Sequence, residues 1–317
     1  MKKKILSVIL AMLMLTALLA GCGGNTDEGS AEPQEETQKY ALLMSHMTNA
    51  FTMELSGAVK DKADELGVSL TVFDGENDAA KQISQAESAI SQGYDAIIIE
   101  AISVDGIKPA VQAAKDAGIP IVTINQKITQ QELANCFVGV SHVEGGSIEM
   151  EKVVEDLDGK GNIAILLGPM GSDGQIGRRE GYSNVLESYP DIEIVFEQSA
   201  NWKTDEALKL VENWLQTGKE INAIVAQNDG MALGALKAVE DAKLLENIKV
   251  YGVDAVPDAL AAVQEGRLSA TVSQSTTNQG LQAMEACYKI VNGETVPEEI
   301  IVGHTLITQD NVADFIK

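Results

Sequence analysis

Several strongly apolar runs in this sequence end in side chains that form hydrogen bonds. The run "IPIVTIN" leads into Asn125 and Gln126, "INAIVAQND" ends in Asn228 and Asp229, and "VYGVD" ends in Asp254. An amide both donates and accepts hydrogen bonds, and an ionised carboxylate accepts several. Asp229 is expected to cap the helix that follows it, which is a sufficient structural reason for that residue. The other side chains suit the recognition of a ligand that carries many hydroxyl groups.

Trp202 adds an aromatic ring to this set. It directly precedes a predicted helix, "TDEALKLVENWL", in which Thr204 is the expected N-cap and Asp205 and Glu206 lie in the first turn. Trp214 lies on the apolar face of that helix and is predicted to be a core residue. Trp202 lies outside the apolar pattern, so it is either a hydrophobic staple or, as we favour, an aromatic platform for the C–H face of a sugar.

Alternating strands and helices are predicted to position these side chains. From residue 39 onward, short runs rich in Ile and Val, such as "DAIIIEA" and "GNIAILLG", alternate with helical patterns such as "DGIKPAVQAAKDAG". This rhythm predicts two doubly wound α/β lobes, each with a parallel sheet covered by helices on both faces. Ligands of such sheets bind outside the carboxyl ends of the strands. The residues at those ends are Ser45, His46, Asp74, Glu100, Asn125, Gln126, Gly168 to Asp173, Asn201, Trp202, Asn228, Asp229, Asp254 and Gln274.

The sequence lacks the motifs that enzymes of this architecture use most often. It contains neither a G-x-S-x-G nucleophile elbow nor a P-loop. The three histidines, His46, His142 and His304, are too widely spaced along the chain to indicate a zinc site. We therefore expect no enzymatic activity, no cofactor and no metal ion.

Two glycine-rich stretches each have two interpretations. "GPMGSDGQIG" lies between a strand and a helix and is either a phosphate cradle or, as we favour, a tightly packed loop. "DLDGKGN" superficially resembles a calcium loop, but its fifth position is Lys160, a cation. An ordinary turn before the next strand fits that stretch better.

The N-terminal residues are predicted to lie outside the folded body. "MKKK" and the apolar stretch that ends in "LLAGC" resemble the signal peptide and lipobox of bacterial lipoproteins, with residues 1–21 removed and Cys22 lipidated. The alternative is an uncleaved signal anchor. Residues 22–38 are polar and acidic, and we expect them to form a disordered tether. The remaining chain of roughly 280 residues exceeds the usual size of one core, which favours two domains.

The charge of the chain limits its partners. It carries 23 Lys and Arg against 47 Asp and Glu, a formal net charge of −24. Nucleic-acid binding and direct adsorption to anionic lipid both need clustered basic residues, so neither is expected. The acidic surface is explained most simply by solubility.

Two cysteines remain beyond Cys22. Cys136 and Cys287 have neither the spacing of a metal site nor that of a redox motif. They form either one disulfide, as an exported protein allows, or two buried free thiols.

These stretches together resemble the periplasmic sugar-binding proteins of ABC transporters, of the galactose/glucose and ribose type. The segments "SHMTNAF", "GQIGRREGY", "ANWKTDEA", "AQNDGMALGAL", "YGVDAVPDAL" and "TVSQ" are similar to segments that contact sugar in that family. The resemblance extends over nearly all of residues 39–302 and implies the type I periplasmic binding protein fold, two lobes joined by a three-stranded hinge. The implied N-terminal lobe comprises residues 39–140 and 275–303, and the C-terminal lobe comprises residues 141–274 and 304–317.

The resemblance also implies a set of ligand-binding residues. The set is Ser45, Asn49, Phe51, Asn125, Gln126, Gln175, Arg178, Trp202, Asn228, Asp254 and Gln274. Within it, Trp202 is expected to stack on the sugar ring and Asp254 to be the principal acceptor of hydroxyl hydrogen bonds. The pair Asn125–Gln126 stands where ribose binders carry Asp and Arg, which favours a hexose or a cyclic polyol over ribose.

The expected protein is an extracytoplasmic lipoprotein, attached by its lipid to the outer face of the cell membrane or held in the periplasm. It is expected to capture a neutral sugar or polyol as a monomer and to deliver it to an ABC permease and its ATPase. The alternative is a sugar-sensing component that docks on a sensor kinase or a chemoreceptor.

Overall fold

The structure, a computed structural model, describes residues 37–316. The predicted signal peptide, Cys22 and the tether up to residue 36 lie outside the described residues. No helix within residues 37–316 has the length and apolar character needed to cross a membrane.

Strands and helices alternate along the described chain. The strands are β1 (Lys39–Met44), β2 (Ser69–Asp74), β3 (Ala96–Ile99), β4 (Ile121–Ile124), β5 (Cys136–Gly139), β6 (Gly161–Leu167), β7 (Ile192–Ser199), β8 (Ala223–Ala226), β9 (Lys249–Asp254), β10 (Ala270–Ser273), β11 (Glu299–Ile301) and β12 (Thr305–Ile307). The helices are α1 (Ala50–Leu66), α2 (Ala79–Ser91), α3 (Lys108–Asp116), α4 (His142–Asp156), α5 (Asp173–Leu186), α6 (Thr204–Gln216), α7 (Asp229–Asp241), α8 (Pro257–Gln264) and α9 (Thr276–Val291).

The strands form two six-stranded sheets, and each sheet is the centre of one lobe. The first lobe has the strand order β11-β5-β4-β3-β1-β2, and the second has β12-β10-β9-β8-β6-β7. The strands pair in parallel, apart from β12, which is antiparallel to β10. The predicted architecture of two doubly wound lobes is therefore confirmed.

The apolar composition of the strands explains why both sheets are covered. Every residue of β3, β4 and β8 is buried, as expected for strands with helices on both faces. In the first lobe, α1 and α9 pack on one face, while α2 and α3 pack on the other. In the second lobe, α4 and α5 cover one face, and α6, α7 and α8 cover the other.

The chain passes between the lobes at three places. It leaves the first sheet after β5 and enters α4 of the second lobe, and it returns after β10 into α9. It crosses once more between β11 and β12, which belong to different sheets. These crossings lie near Val140, Gln274 and His304, and they form the hinge.

Two local expectations are resolved by the structure. The N-cap position of α6 is Lys203, which makes no side-chain capping bond, and the helix begins at Thr204. The expectation that Thr204 caps this helix is therefore wrong. Cys136 and Cys287 are both buried free thiols in the core of the first lobe, so they do not form a disulfide.

Helices α4 and α5 approach closely because glycines face each other between them. A Cβ atom on Gly181 would overlap the carbonyl oxygen of Val143, and one on Gly146 would overlap the backbone of Arg178. Only glycine permits this separation, since any side chain would push the helices apart. The contact fixes α5, the helix that carries Arg178.

Candidate ligand-binding site

The carboxyl ends of parallel strands from both sheets border one cavity between the lobes. Its volume is about 90 Å³. It is lined by Ser45, His46, Asn49, Phe51, Thr52, Asn77, Glu100, Ala101, Ile102, Asn125, Gln126, Pro169, Ser172, Arg178, Trp202, Asn228, Asp254 and Gln274. An adjoining cavity of about 730 Å³ shares Asn49, Phe51, Asn77, Trp202, Asn228 and Asp254 with it. The inner space suits a single small molecule.

The cavity contains every residue of the set implied by the resemblance except Gln175. Gln175 is buried in the first turns of α5, and its Oε1 accepts a hydrogen bond from the Gly171 N–H at 3.3 Å. Its carbonyl oxygen accepts a second bond, from Gln227 Nε2 at 3.0 Å. The structure therefore places Gln175 behind the cavity wall, where it fixes the loop before α5.

Three residues that line the cavity also cap helices. The side chains of Asn49, Ser172 and Asn228 accept hydrogen bonds from the first turns of α1, α5 and α7. This double use follows from the fold, because each helix begins just after a strand ends. The cap of α7 is Asn228 rather than Asp229, which corrects the expectation from the sequence.

Asp229 has a structural role behind the cavity. It is fully buried, and its carboxylate accepts bonds from Thr271 Oγ1 at 2.8 Å and from the Val256 N–H at 3.0 Å. Burial raises the pKa of Asp229 to about 6. These bonds hold the segment that directly follows Asp254, the last residue of β9, which has a φ of 131°.

Asp254 is the acid that the second lobe contributes to the cavity. Its Oδ1 accepts a 2.6 Å bond from Gln274 Nε2. Burial raises its pKa well above the usual range, the Arg178 guanidinium lowers it, and the nearby Asp229 raises it further. Because a carboxylate accepts about four hydrogen bonds, Asp254 retains capacity for ligand hydroxyl groups.

The amide of Gln126 joins the two lobes, and the amide of Asn125 bonds to it from within the first lobe. Asn125 is fully buried with a φ of 60°, and its Nδ2 donates to Gln279 Oε1 at 3.2 Å. Its Oδ1 accepts from Gln126 Nε2 at 2.8 Å, and Gln126 Oε1 accepts from the Gly174 N–H at 3.1 Å. Much of the hydrogen-bonding capacity of this pair is therefore used by the protein itself.

Trp202 and Arg178 form the aromatic and cationic part of the wall. Trp202 has a φ of 61°, and its ring lies against Gly168, where a Cβ atom would collide with it. The Arg178 guanidinium carbon lies 5.5 Å from the centre of the Trp202 ring, and Nη1 donates to the carbonyl oxygen of Gln227. The glycine-rich loop thus packs tightly around the tryptophan, in agreement with the favoured interpretation of "GPMGSDGQIG".

Several residues that line the cavity have no ligand-binding role predicted from the sequence. His46, Glu100 and Ser172 lie at strand ends, so the strand-end rule identified their positions without a role. Burial lowers the pKa of His46, which favours its neutral form, and burial raises the pKa of Glu100 to about 7. Asn77 lies in the loop after β2 and has no comparable signal in the sequence.

Within residues 37–316, no group of three or more His, Cys, Asp or Glu side chains is arranged to hold a metal ion. The polar groups of the cavity are amides, hydroxyls, two carboxyls, one guanidinium and the imidazole of His46. Such a set can bind hydroxyl groups by hydrogen bonds while Trp202 and Phe51 cover apolar faces of a ring.

Known proteins are similar to this chain in both sequence and fold. The Periplasmic binding protein domain family matches residues 40–295. A xylitol-binding protein of Mycolicibacterium smegmatis is 35% identical, over 93% of this chain and 82% of that protein. The ribose import binding protein of Bacillus subtilis is 32% identical, over 97% of this chain and 99% of that protein.

A solved structure agrees with these relatives. An ABC transporter solute binding protein from Bacillus halodurans with bound myo-inositol superimposes with a TM-score of 0.85 at 35% identity, over 88% of this chain and 97% of that chain. The family match, the relatives and the fold thus indicate the same class of protein as the cavity between the lobes does. The chain belongs to the periplasmic binding protein family, among the sugar-binding proteins of ABC transporters.

Proposed function

We propose that this protein captures a neutral hexose or cyclic polyol in the cavity between its lobes and delivers it to an ABC permease. The observation that carries the proposal is the lining of the cavity, in which Trp202 and Phe51 stand among amides and carboxyls at the strand ends of both lobes. The relatives that bind xylitol and myo-inositol support a polyol as the ligand class.

The pair Asn125–Gln126 supports a hexose or cyclic polyol over ribose. A ribose binder of this family carries a charged Asp-Arg pair at these positions, whereas here two neutral amides bond to each other and to Gly174. The loss of a bidentate guanidinium changes which hydroxyl groups are satisfied at this wall.

The binding test is calorimetry on the soluble domain with hexoses, pentoses and inositols, followed by thermal unfolding with each ligand. A ligand at 100 times its Kd is expected to stabilise the fold by about 2.7 kcal/mol. Binding of a hexose or an inositol ahead of ribose supports the proposal. A protein that binds no sugar or polyol contradicts it.

Delivery and anchoring have separate tests. Uptake of the bound ligand by proteoliposomes that hold the cognate permease should require this protein. Mass spectrometry of the membrane fraction should find a lipid on Cys22, and a Cys22→Ser variant should be released in soluble form. An unmodified Cys22 in the mature protein would remove the lipid anchor from the proposal.

A further inference from the structure

Glu100 is a buried acid in the cavity for which the family resemblance supplied no role. It follows the last residue of β3, is 4% exposed, and lines the cavity beside Ser45. The Ser45 N–H donates to Glu100 Oε2 at 2.9 Å. Ser45 can supply at most two donors, its N–H and its hydroxyl, while a carboxylate accepts about four hydrogen bonds. Half of the capacity of Glu100 is therefore left for another donor.

Glu100 also lacks a counter-ion in the described chain. Burial raises the pKa of Glu100, and the hydrogen bonds from Ser45 lower it. No cation contributes to this lowering. Arg178, the guanidinium of the cavity, bonds to Gln227, lies over Trp202 and lowers the pKa of Asp254 instead. Buried carboxylates are normally paired, because an unpaired charge is costly away from water.

Asp254 and Glu100 lie at strand ends of different sheets, in the second and the first lobe. A ligand between them meets one acid from each lobe. The other titratable or charged groups that line the same cavity are His46 and Arg178. His46 Nδ1 is engaged by Thr48, and burial lowers its pKa, so His46 does not supply the missing positive charge.

We propose that Glu100 is a ligand-binding residue that determines specificity, because its carboxyl accepts a hydrogen bond from a donor on the side of the ligand that faces the first lobe. The donor is a hydroxyl or a protonated amine of a polyol. A ligand that satisfies Glu100 and Asp254 at once carries donors on opposite sides, as a ring substituted all around does. This inference rests on the proposed function and names the ligand chemistry within it.

The experiment compares the wild-type protein with Glu100→Gln by calorimetry. The probes are myo-inositol, D-glucose and D-galactose, together with D-glucosamine and an amino-deoxy inositol as the amine counterparts. The matched control is Glu87→Gln, which makes the same change on an exposed residue of α2 in the same lobe. Glu100→Gln is expected to weaken binding about tenfold or more, because it replaces a charged acceptor, whereas the control retains wild-type affinity.

The amine probes distinguish the two donors. If an amine probe binds the wild-type protein more tightly than its hydroxyl parent, and Glu100→Gln removes that preference, the donor is an amine. If the hydroxyl parents bind at least as tightly and still lose affinity in Glu100→Gln, the donor is a hydroxyl.

A pH series from 6 to 8 adds a readout that a structural role would not change. If the ligand donates a hydrogen bond to the ionised carboxyl, the ligand affinity of the wild-type protein should rise with pH. The affinity of Glu100→Gln should lack this contribution to the pH dependence. Should Glu100→Gln not fold, Glu100→Asp keeps the charge but shortens its reach, and it should lose affinity as well. Full affinity in a folded Glu100 variant overturns the inference alone, while a wild-type protein that binds no probe overturns the proposed function and this inference with it.

Discussion

The contacts of Trp202 allow its contribution to ligand binding to be measured separately from its contribution to folding. Its ring lines the cavity and lies against Gly168 and Arg178, and its side chain is only partly buried. Trp202→Ala is expected to weaken ligand binding roughly tenfold, since an aromatic contact contributes about 1.5 kcal/mol beyond its buried area. The free energy of unfolding without ligand should change little. Calorimetry and denaturant titration measure the two quantities.

Trp214 is the matched control for Trp202. It is 6% exposed and stacks on Phe196 with ring centres 5.3 Å apart in the core of the second lobe. Trp214→Ala is expected to lower the free energy of unfolding by about 3–5 kcal/mol. A loss of this size in Trp202→Ala would show instead that Trp202 is a staple of the core.

The helices α4 and α5 show how an element positions a site residue. Gly181 lies in α5 opposite Val143 of α4, where a Cβ atom would overlap the carbonyl oxygen. Gly181→Ala is therefore expected to displace α5 together with Arg178, to lower the free energy of unfolding by about 1–3 kcal/mol and to weaken ligand binding. Denaturant titration and calorimetry on the same preparation measure both effects.

Gly57 offers the matched control on α1. A Cβ atom there would have no neighbour within 4 Å. Gly57→Ala is expected to raise the free energy of unfolding by about 0.5–1 kcal/mol, because alanine restricts the unfolded chain and favours helix. Equal effects of the two substitutions would mean that close packing at Gly181 does not position α5.

The elements also show what the sequence can and cannot predict. Continuous apolar runs predicted the parallel sheets, and the rule for their carboxyl ends led to Asn125, Asn228 and Asp254, because all the parallel strands of a sheet point the same way. The cap of α7 was predicted wrongly, since Asp229 bonds to Thr271 and Val256, which are distant in sequence.

Glu100 shows a further limit of sequence patterns. Its position at a strand end was evident, but its lack of a counter-ion depends on where Arg178 bonds in the folded protein. Contacts between distant segments decide such roles, and a local pattern does not contain them.

The whole molecule carries buried acids that make its stability depend on pH. Burial raises the pKa of Glu149 to about 8, and it also raises the pKa values of Asp229 and Asp254. The folded protein keeps these protons at pH values where the unfolded chain has released them. The contribution of these acids to the free energy of unfolding of the ligand-free protein should therefore fall as pH rises from about 5 to 8. The buried histidines His46, His142 and His304, whose pKa values burial lowers, act in the opposite direction.

Glu149→Gln tests this dependence because it removes one of the titrating groups. The fall in the free energy of unfolding between pH 5 and pH 8 is expected to shrink by on the order of 1–3 kcal/mol. Glu155→Gln, an exposed residue of the same helix, should leave the fall unchanged. Urea titrations at three pH values provide the measurement, and an unchanged fall in Glu149→Gln would contradict the role of its buried carboxyl.

Direct hydrogen bonds join the two lobes beside the cavity. The Lys127 N–H donates to Asp173 Oδ2 at 2.8 Å, and the Val104 N–H donates to the carbonyl oxygen of Gly171 at 3.1 Å. With the bond from the Gly174 N–H to Gln126, they connect loops of the first lobe to the start of α5. Such bonds exist only while the lobes are closed, so they favour the closed form whether or not ligand is bound.

Asp173→Ala is expected to shift the molecule towards an open form. The bond to a charged acceptor contributes about 1.5–3 kcal/mol, so its removal should reduce the ratio of closed to open molecules roughly tenfold. Small-angle scattering of the ligand-free variant should give a larger radius of gyration, and ligand affinity should fall by a similar factor because less of the protein is competent to bind. Asp205→Ala, in the first turn of α6, removes an exposed carboxylate that pairs with Lys209 of the same helix, and it should keep the wild-type radius. If Asp173→Ala retains both the wild-type radius and the wild-type affinity, the closed form does not depend on this bond and ligand contacts alone must hold the lobes together.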